Sequence, residues 1–314
     1  MIRSMYGHQA IMQKGKIFLK SGFVSIIGRP NVGKSTLVNA IVGEKVAIVS
    51  NKPQTTRQRL QGIYTSENGQ IVFLDTPGIH KPHHRLGEYM VDVSTRSLEE
   101  GDLIYYLVDA TKPFGSGEQF IIDQLQNVKV PVFLVVNKVD LLDKEELDRV
   151  ISSYTRHFQC KEVIPVSALN HTNLEKLLHD TFACLSKGPL YYPEDHYTDQ
   201  PMSFLSAEII REKTLQLTRD EVPHSVAVKV EDFCEQGENR WYIRATIYTE
   251  RDSQKGIIIG RNGQMLKKIG ELARKDIETI MGAKVYLDLW IKVRKNWRDN
   301  EANLKQLGFS LEDR

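Results

Sequence analysis

The sequence predicts an α/β domain with a mostly parallel sheet and helices on both faces, followed by a smaller α+β domain. Three observations predict this. Short apolar runs, most of them rich in β-branched or aromatic residues, recur at 23–27, 71–74, 103–108, 132–136 and 163–166. Strands that read as unbroken apolar runs are covered on both faces, as in parallel sheets. Amphipathic segments at 35–42, 117–126 and 147–157 separate most of them. After residue 201 the alternation stops and a different order of elements begins.

Taken in order, residues 1–20 are mixed and polar and are expected to form a disordered extension. The first domain is expected over 21–186. Residues 187–201 hold Pro189, Pro193 and Pro201 without helical period and read as a linker. The second domain, 202–314, is expected to contain a helix at 204–217 and strands at 222–233 and 241–250. A glycine-bearing turn at 260–263, expected between a strand and a helix, then precedes a long helix at 264–281 and a last strand at 284–295.

Composition sets outer limits. The 314 residues suit two domains of ordinary size. The three cysteines, Cys160, Cys184 and Cys234, are scattered, which argues against a zinc site or a disulfide framework and for reduced thiols in a cytoplasmic setting. No apolar run reaches the roughly 18 residues a membrane span needs. The net charge is only +2, yet residues 255–298 hold eleven Lys/Arg against four acids. That concentration of charge suits a polyanion.

Gly28-Arg29-Pro30-Asn31-Val32-Gly33-Lys34-Ser35 follows the first apolar run and opens the first helix, with Thr36 next. This is the context a phosphate-binding loop requires. Glycines let successive N–H groups converge on phosphate oxygens, and the helix N-terminus adds partial positive charge. Lys34 supplies a point charge to the β- and γ-phosphates, and the Ser35 hydroxyl ligates Mg²⁺. Asp75-Thr76-Pro77-Gly78 ends the 71–74 strand. Asp75 there can hold Mg²⁺ opposite Ser35, and the Gly78 N–H can sense the γ-phosphate.

Asn137-Lys138-Val139-Asp140 ends the 132–136 strand. The Asp140 carboxylate can accept from guanine N1–H and N2–H₂, donors that adenine lacks in that arrangement. Asn137 can tie this loop to the phosphate loop, and the Lys138 stem can cover the base. Ser167-Ala168 ends the last apolar run, where a backbone N–H can meet guanine O6. Each motif lies at the carboxyl end of a strand, where open α/β sheets bind ligands. The nucleotide is therefore read as GTP or GDP, with hydrolysis as the chemistry.

The spacing of these motifs resembles that of translation-factor-class G proteins. Pro53-Gln54-Thr55-Thr56-Arg57, together with I-G-R-P-N-V-G-K-S-T, D-T-P-G and N-K-V-D, resembles the Era family of bacterial GTPases. By that resemblance Thr56 closes over Mg²⁺ and the γ-phosphate, and Lys34, Thr56, Asp75 and Gly78 form the catalytic group. Ile79 stands where Ras-type enzymes carry a water-orienting glutamine. An isoleucine cannot bond the attacking water, so either another group positions it or intrinsic turnover is slow and a partner accelerates it, slow turnover being the expectation. In this subgroup an asparagine at the Asn31 position helps hold K⁺ beside the phosphates. His80, His83 and His84 are read as a mobile, solvated switch segment rather than a metal cluster.

Gly260-Arg261-Asn262-Gly263 resembles the GXXG loop of KH domains, and the order helix–strand–strand–helix–helix–strand resembles their type II fold. Lys267 and Lys268, one turn on, are the favoured backbone contacts; Trp290 and Trp297 are read as core or packing residues. The whole is then an α/β P-loop GTPase domain followed by an α+β type II KH domain. The resemblance implies a monomer that binds the 3′ region of 16S rRNA and assists assembly of the 30S subunit. It also implies peripheral contact with the inner membrane. GTP would order the Thr56 and 75–85 loops, change the packing of the domains and expose the RNA surface.

Overall fold

The computed structural model describes residues 19–79, 82 and 84–310. Two compact units emerge from the contacts: residues 1–44, 60–76 and 96–199 in one, and 45–59, 77–95 and 200–314 in the other. The extension expected at 1–20 lies almost wholly outside the described residues, as do His80 and His83.

The first unit is built on β1 (Lys20–Ile27), α1 (Lys34–Val42), β2 (Leu60–Ser66) and β3 (Gly69–Asp75). Then come α2 (Arg85–Glu100), which runs from one unit into the other, β4 (Leu103–Asp109), α3 (Ser116–Leu125) and β5 (Val132–Asn137). It closes with α4 (Lys144–Thr155), β6 (Glu162–Pro165) and α5 (Leu174–Cys184). The six strands lie in the order β2-β3-β1-β4-β5-β6. Only β2 runs antiparallel to its neighbour; the other pairs are parallel. β3, β4 and β5 are buried along their whole length, as continuous apolar runs demand.

The sequence reading omits β2. Its Leu-Gln-Gly-Ile-Tyr-Thr-Ser run has no apolar block, and it is one of the sheet's two edge strands. That edge is covered by the stretch read as a linker. Tyr197 O accepts from Ile63 N at 2.8 Å, and Gln70 Oε1 accepts from Tyr191 N and Tyr192 N at 2.8 and 2.9 Å. Covering an edge with chain removes a template for strand addition.

The second unit contains α6 (Met202–Leu217), α7 (Val222–Ser225), β7 (Ala227–Glu235), β8 (Arg240–Thr249) and α8 (Asp252–Ile259). It ends with α9 (Gln264–Met281), β9 (Lys284–Val293) and α10 (Glu301–Gln306). The sheet order is β7-β8-β9, with β7 antiparallel and β9 parallel to β8. Ile209 and Ile210 of α6, Ile258 of α8 and Ile269, Ala273 and Ile277 of α9 pack with Ile243, Ile247 and Ile291 of the sheet.

Three local expectations change. Pro223 sits in the first turn of a short helix, so the strand expected at 222–233 starts only at Ala227. Gly256-Ile257-Ile258-Ile259 is helical, so the glycine turn joins two helices rather than a strand and a helix. Trp290 is 55% exposed, whereas Trp297 is fully buried. Trp290 lies on β9 facing away from the helices, a consequence of the two-residue strand period.

Leu86, Tyr89, Met90 and Val93, spaced three or four apart on α2, bury against Trp297, Leu304 and Leu307. The solvated segment expected around residue 84 thus opens directly into an ordered amphipathic helix.

Candidate functional site

β1 ends at Ile27 and α1 begins at Lys34, so the phosphate loop is the turn between them. Two glycines are dictated by space. A Cβ on Gly28 would lie 2.2 Å from Leu107 O, and one on Gly33 would lie 2.3 Å from Asn137 Nδ2. Gly33 also has φ of 103° and caps α1. Lys34 Nζ donates to Gly28 O at 3.2 Å and Arg29 O at 3.1 Å, so its ammonium is held over the loop's hollow. Burial pushes the Lys34 amine down to about 8, against the pull of Asp75 and Glu118.

Ser35 Oγ donates to Asp75 Oδ2 at 2.7 Å, and Asp75 is fully buried at the end of β3. Thr76 Oγ1 donates to Ile26 O at 2.7 Å and fixes the strand end beside β1. A hydroxyl and a carboxylate brought together at the mouth of a phosphate loop form a hard-oxygen donor pair that fits Mg²⁺.

The loop after β5 is tied as its sequence suggests. Asn137 is buried; its Nδ2 donates to Val32 O at 2.8 Å and its Oδ1 accepts from Ala168 N at 3.0 Å. One amide therefore braces the phosphate loop and the 167–168 loop together. Lys138, at φ 68°, sends Nζ to Asn31 O at 3.0 Å and Asp109 Oδ2 at 2.6 Å. Asp109, at the end of β4, also accepts from the Thr111 hydroxyl. These bonds hold its carboxyl below the usual range despite the cost of burial. Sequence reasoning missed Asp109; an acid ending an otherwise apolar strand was the available signal. Val139 N donates to Val166 O at 3.3 Å, and Asp140 is exposed in the following turn.

One expectation meets a different geometry. Ser167 N donates to Thr172 O, and Ala168 N to Asn137 Oδ1, so the backbone N–H groups of the pair from which one was expected at guanine O6 both brace the loop.

The second unit holds Thr56, Pro77, Gly78 and Ile79, all buried. Within that unit the 45–59 stretch is bonded to the C-terminal helices. Lys45 Nζ reaches Glu212 at 2.6 Å and Asp276 at 3.0 Å, and Lys213 pairs with the same two acids at 3.0 and 2.6 Å. Thr55 O accepts from Arg211, and Arg57, only 2% exposed, donates to Val226 O at 2.5 Å. Arg57 also lies 5.7 Å from the Trp297 ring centroid, within cation–π range. Burial pushes the Arg57 guanidinium below its ordinary value.

The Gly260–Gly263 turn caps α9. Gly260 has φ 70° and Gly263 φ 75°, while Asn262, at φ 52°, is a residue that tolerates this region. A Cβ on Gly260 would fall 2.6 Å from Met265 Cβ. Arg261, Asn262, Lys267 and Lys268 are exposed around this turn, and Ile257 of α8 is 50% exposed beside it. An apolar side chain, a glycine-flanked backbone and cations on one surface are what single-stranded RNA takes.

Two family models match successive parts of the chain. The family model described as "50S ribosome-binding GTPase" matches residues 23–138, and the KH-domain model matches 221–298. A GTPase Era of Heliobacterium modesticaldum is 54% identical over 291 residues, covering 93% of this chain and 97% of the relative. The crystal structure of an Era in complex with MgGDPNP and nucleotides 1506–1542 of 16S ribosomal RNA is 40% identical. Its TM-score is 0.89, with 93% of this chain and all of that one covered. An Aquifex aeolicus Era variant bound to GDP·AlF4⁻ matches equally well, at 40% identity and TM-score 0.89 over 93% of this chain and all of that one.

Proposed function

The chain belongs to the Era family of GTPases, and from that premise we propose that it is a GTP-hydrolysing switch that binds the 3′ region of 16S rRNA and assists 30S assembly and 16S rRNA maturation. One observation carries the reading: a phosphate loop braced to a guanine loop by Asn137 shares a chain with a glycine-capped, cation-flanked RNA loop. The division proposed is a nucleotide domain at 21–186, a connecting segment at 187–201 and an RNA domain at 202–314.

Lys34, held by two loop carbonyls, offers its ammonium to the β- and γ-phosphates. Ser35 and Asp75 would hold Mg²⁺, which neutralises charge building on the phosphate oxygens. Asp140 selects guanine, because a base without two donors leaves its carboxylate unpaired. Thr56 and Gly78 are proposed as the γ-phosphate sensors. Ile79 has no hydrogen-bonding group to orient water, which supports slow intrinsic turnover. K⁺ held with the help of Asn31 is proposed to supply further positive charge.

The proposed readout runs through the 45–59 stretch. A shift of Thr56 must pull on Arg57 and on the Thr55 carbonyl that Arg211 holds. The Lys45 pairs carry that pull to Asp276, on the helix that the RNA loop caps. Among the described residues no helix is long and apolar enough to cross a membrane. A cytoplasmic monomer with peripheral contact to the inner membrane is proposed.

Steady-state phosphate release, in potassium and in sodium, with and without RNA carrying the 16S 3′ end, tests this. The reading predicts slow basal turnover, faster in potassium and faster again with that RNA. Equal rates in the two salts would sink the potassium role. Equal stimulation by unrelated RNA would sink the assembly role.

A further inference from the structure

A buried carboxylate lies beside the phosphate loop, and none of the roles above uses it. Glu118, in the first turn of α3, is 2% exposed. Burying a charge costs several kcal/mol unless partners offset it. Here Oε2 accepts from the Tyr106 hydroxyl at 2.5 Å, and Oε1 faces Arg29 Nη1 at 3.7 Å. Burial raises the Glu118 carboxyl above its usual range, while Tyr106 and Arg29 pull it back. Lys34, Asp109 and Tyr154 are the other titratable groups near it.

Arg29 is the second residue of the loop, and its side chain is seated by two consecutive residues of α3. A Cβ on Gly117 would come within 2.9 Å of Arg29 Nε, so this glycine leaves a floor for the guanidinium. Glu118 forms the anionic wall. The peptide so fixed is one that holds the catalytic lysine, because Arg29 O accepts from Lys34 Nζ. β4 supports the loop twice: Leu107 O abuts Gly28, and the neighbouring Tyr106 acts on Arg29 through Glu118.

We propose that Glu118, oriented by Tyr106, is a positioning residue that clamps Arg29 and so sets the phosphate-loop geometry for GTP. Arg29 then serves as the loop's anchor rather than as a phosphate ligand. This rests on the GTP reading above. A purely space-filling role does not call for a carboxylate, since a methionine of similar size fills the same volume without the cost of burying a charge.

The test is a double-mutant cycle on the full chain. Glu118→Gln keeps the shape and the Tyr106 hydrogen bond but removes the charge facing Arg29. Binding of a fluorescent GTP analogue and the apo-protein thermal midpoint are measured for Glu118→Gln, Arg29→Gln and the double variant. Each single substitution is expected to weaken GTP binding about tenfold, and the double variant no more than the worse single. Tyr106→Phe, which deletes one hydroxyl, should weaken it about threefold in the same direction. Unchanged affinity with a lowered thermal midpoint would overturn the clamp, as would losses that multiply in the double variant. Failure of the unsubstituted protein to bind the analogue would instead sink the GTP reading, and the clamp with it.

Discussion

Replacing Asn137 with alanine removes two buried hydrogen bonds at once, those to Val32 O at 2.8 Å and from Ala168 N at 3.0 Å. Each orphaned backbone group in a buried setting costs about 1–3 kcal/mol. The two lie on different loops, which a nucleotide must find in register. Some of the loss relaxes into loop motion before binding, so a net penalty of about 2–4 kcal/mol on GTP affinity is expected. That is roughly a 30- to 700-fold rise in Kd, at about 1.4 kcal/mol per decade. The assay is equilibrium titration of a fluorescent GTP analogue at 25 °C, with the thermal midpoint measured in parallel. Asn137→Asp separates the halves, because it keeps the acceptor for Ala168 N and loses the donor to Val32 O. A rise in Kd below threefold for Asn137→Ala would refute the view that this amide braces the two loops for nucleotide.

Two further outcomes follow from the geometry. Asp140→Asn should weaken GTP by about 100-fold or more and favour a xanthine nucleotide, whose 2-oxo group accepts from the new amide; competition binding measures it, and retained guanine preference would move base recognition elsewhere. His84 and His224 both titrate below their ordinary 6.5, chiefly through burial, with Arg298 and Arg57 adding repulsion. The unfolded chain therefore binds more protons, so stability is fully present above pH about 6.5 and falls as the pH drops through the lower folded values. Urea midpoints from pH 7.5 to 5.5 should show that loss, and the double variant His84→Gln/His224→Gln should flatten it; an unchanged slope would assign the pH dependence to other groups.

Much of this molecule was legible in its sequence because its chemistry is local. The phosphate loop, Asp75, the Asn137–Asp140 run and the 260–263 turn are contiguous motifs at element ends. Parallel strands buried on both faces announce themselves as apolar blocks. What was illegible depends on partners far away in sequence. β2 has no apolar block and is an edge strand, covered by chain some 130 residues later. The apolar stripe of α2 gains meaning only once Trp297 and Leu304 are beside it. Trp290 and Trp297 look alike in sequence, yet strand pleat exposes one, while the other donates from Nε1 to Ser225 O at 2.8 Å. Asp109 and Glu118 were missed for a related reason. Their partners, Lys138 for one and Tyr106 and Arg29 for the other, come from neighbouring strands and loops.

Nucleotide state is proposed to govern RNA binding through the 45–59 stretch. The direct measurement is the affinity of the full chain for a 16S 3′-end RNA, by fluorescence anisotropy at fixed salt, with a non-hydrolysable GTP analogue and with GDP. Coupling free energies of this kind run about 1–3 kcal/mol, so RNA should bind roughly 5- to 150-fold more tightly in the GTP-like state. Asp276→Asn, which removes the link from Lys45 to α9, should shrink that ratio. Equal affinity in the two nucleotide states would rule out this coupling.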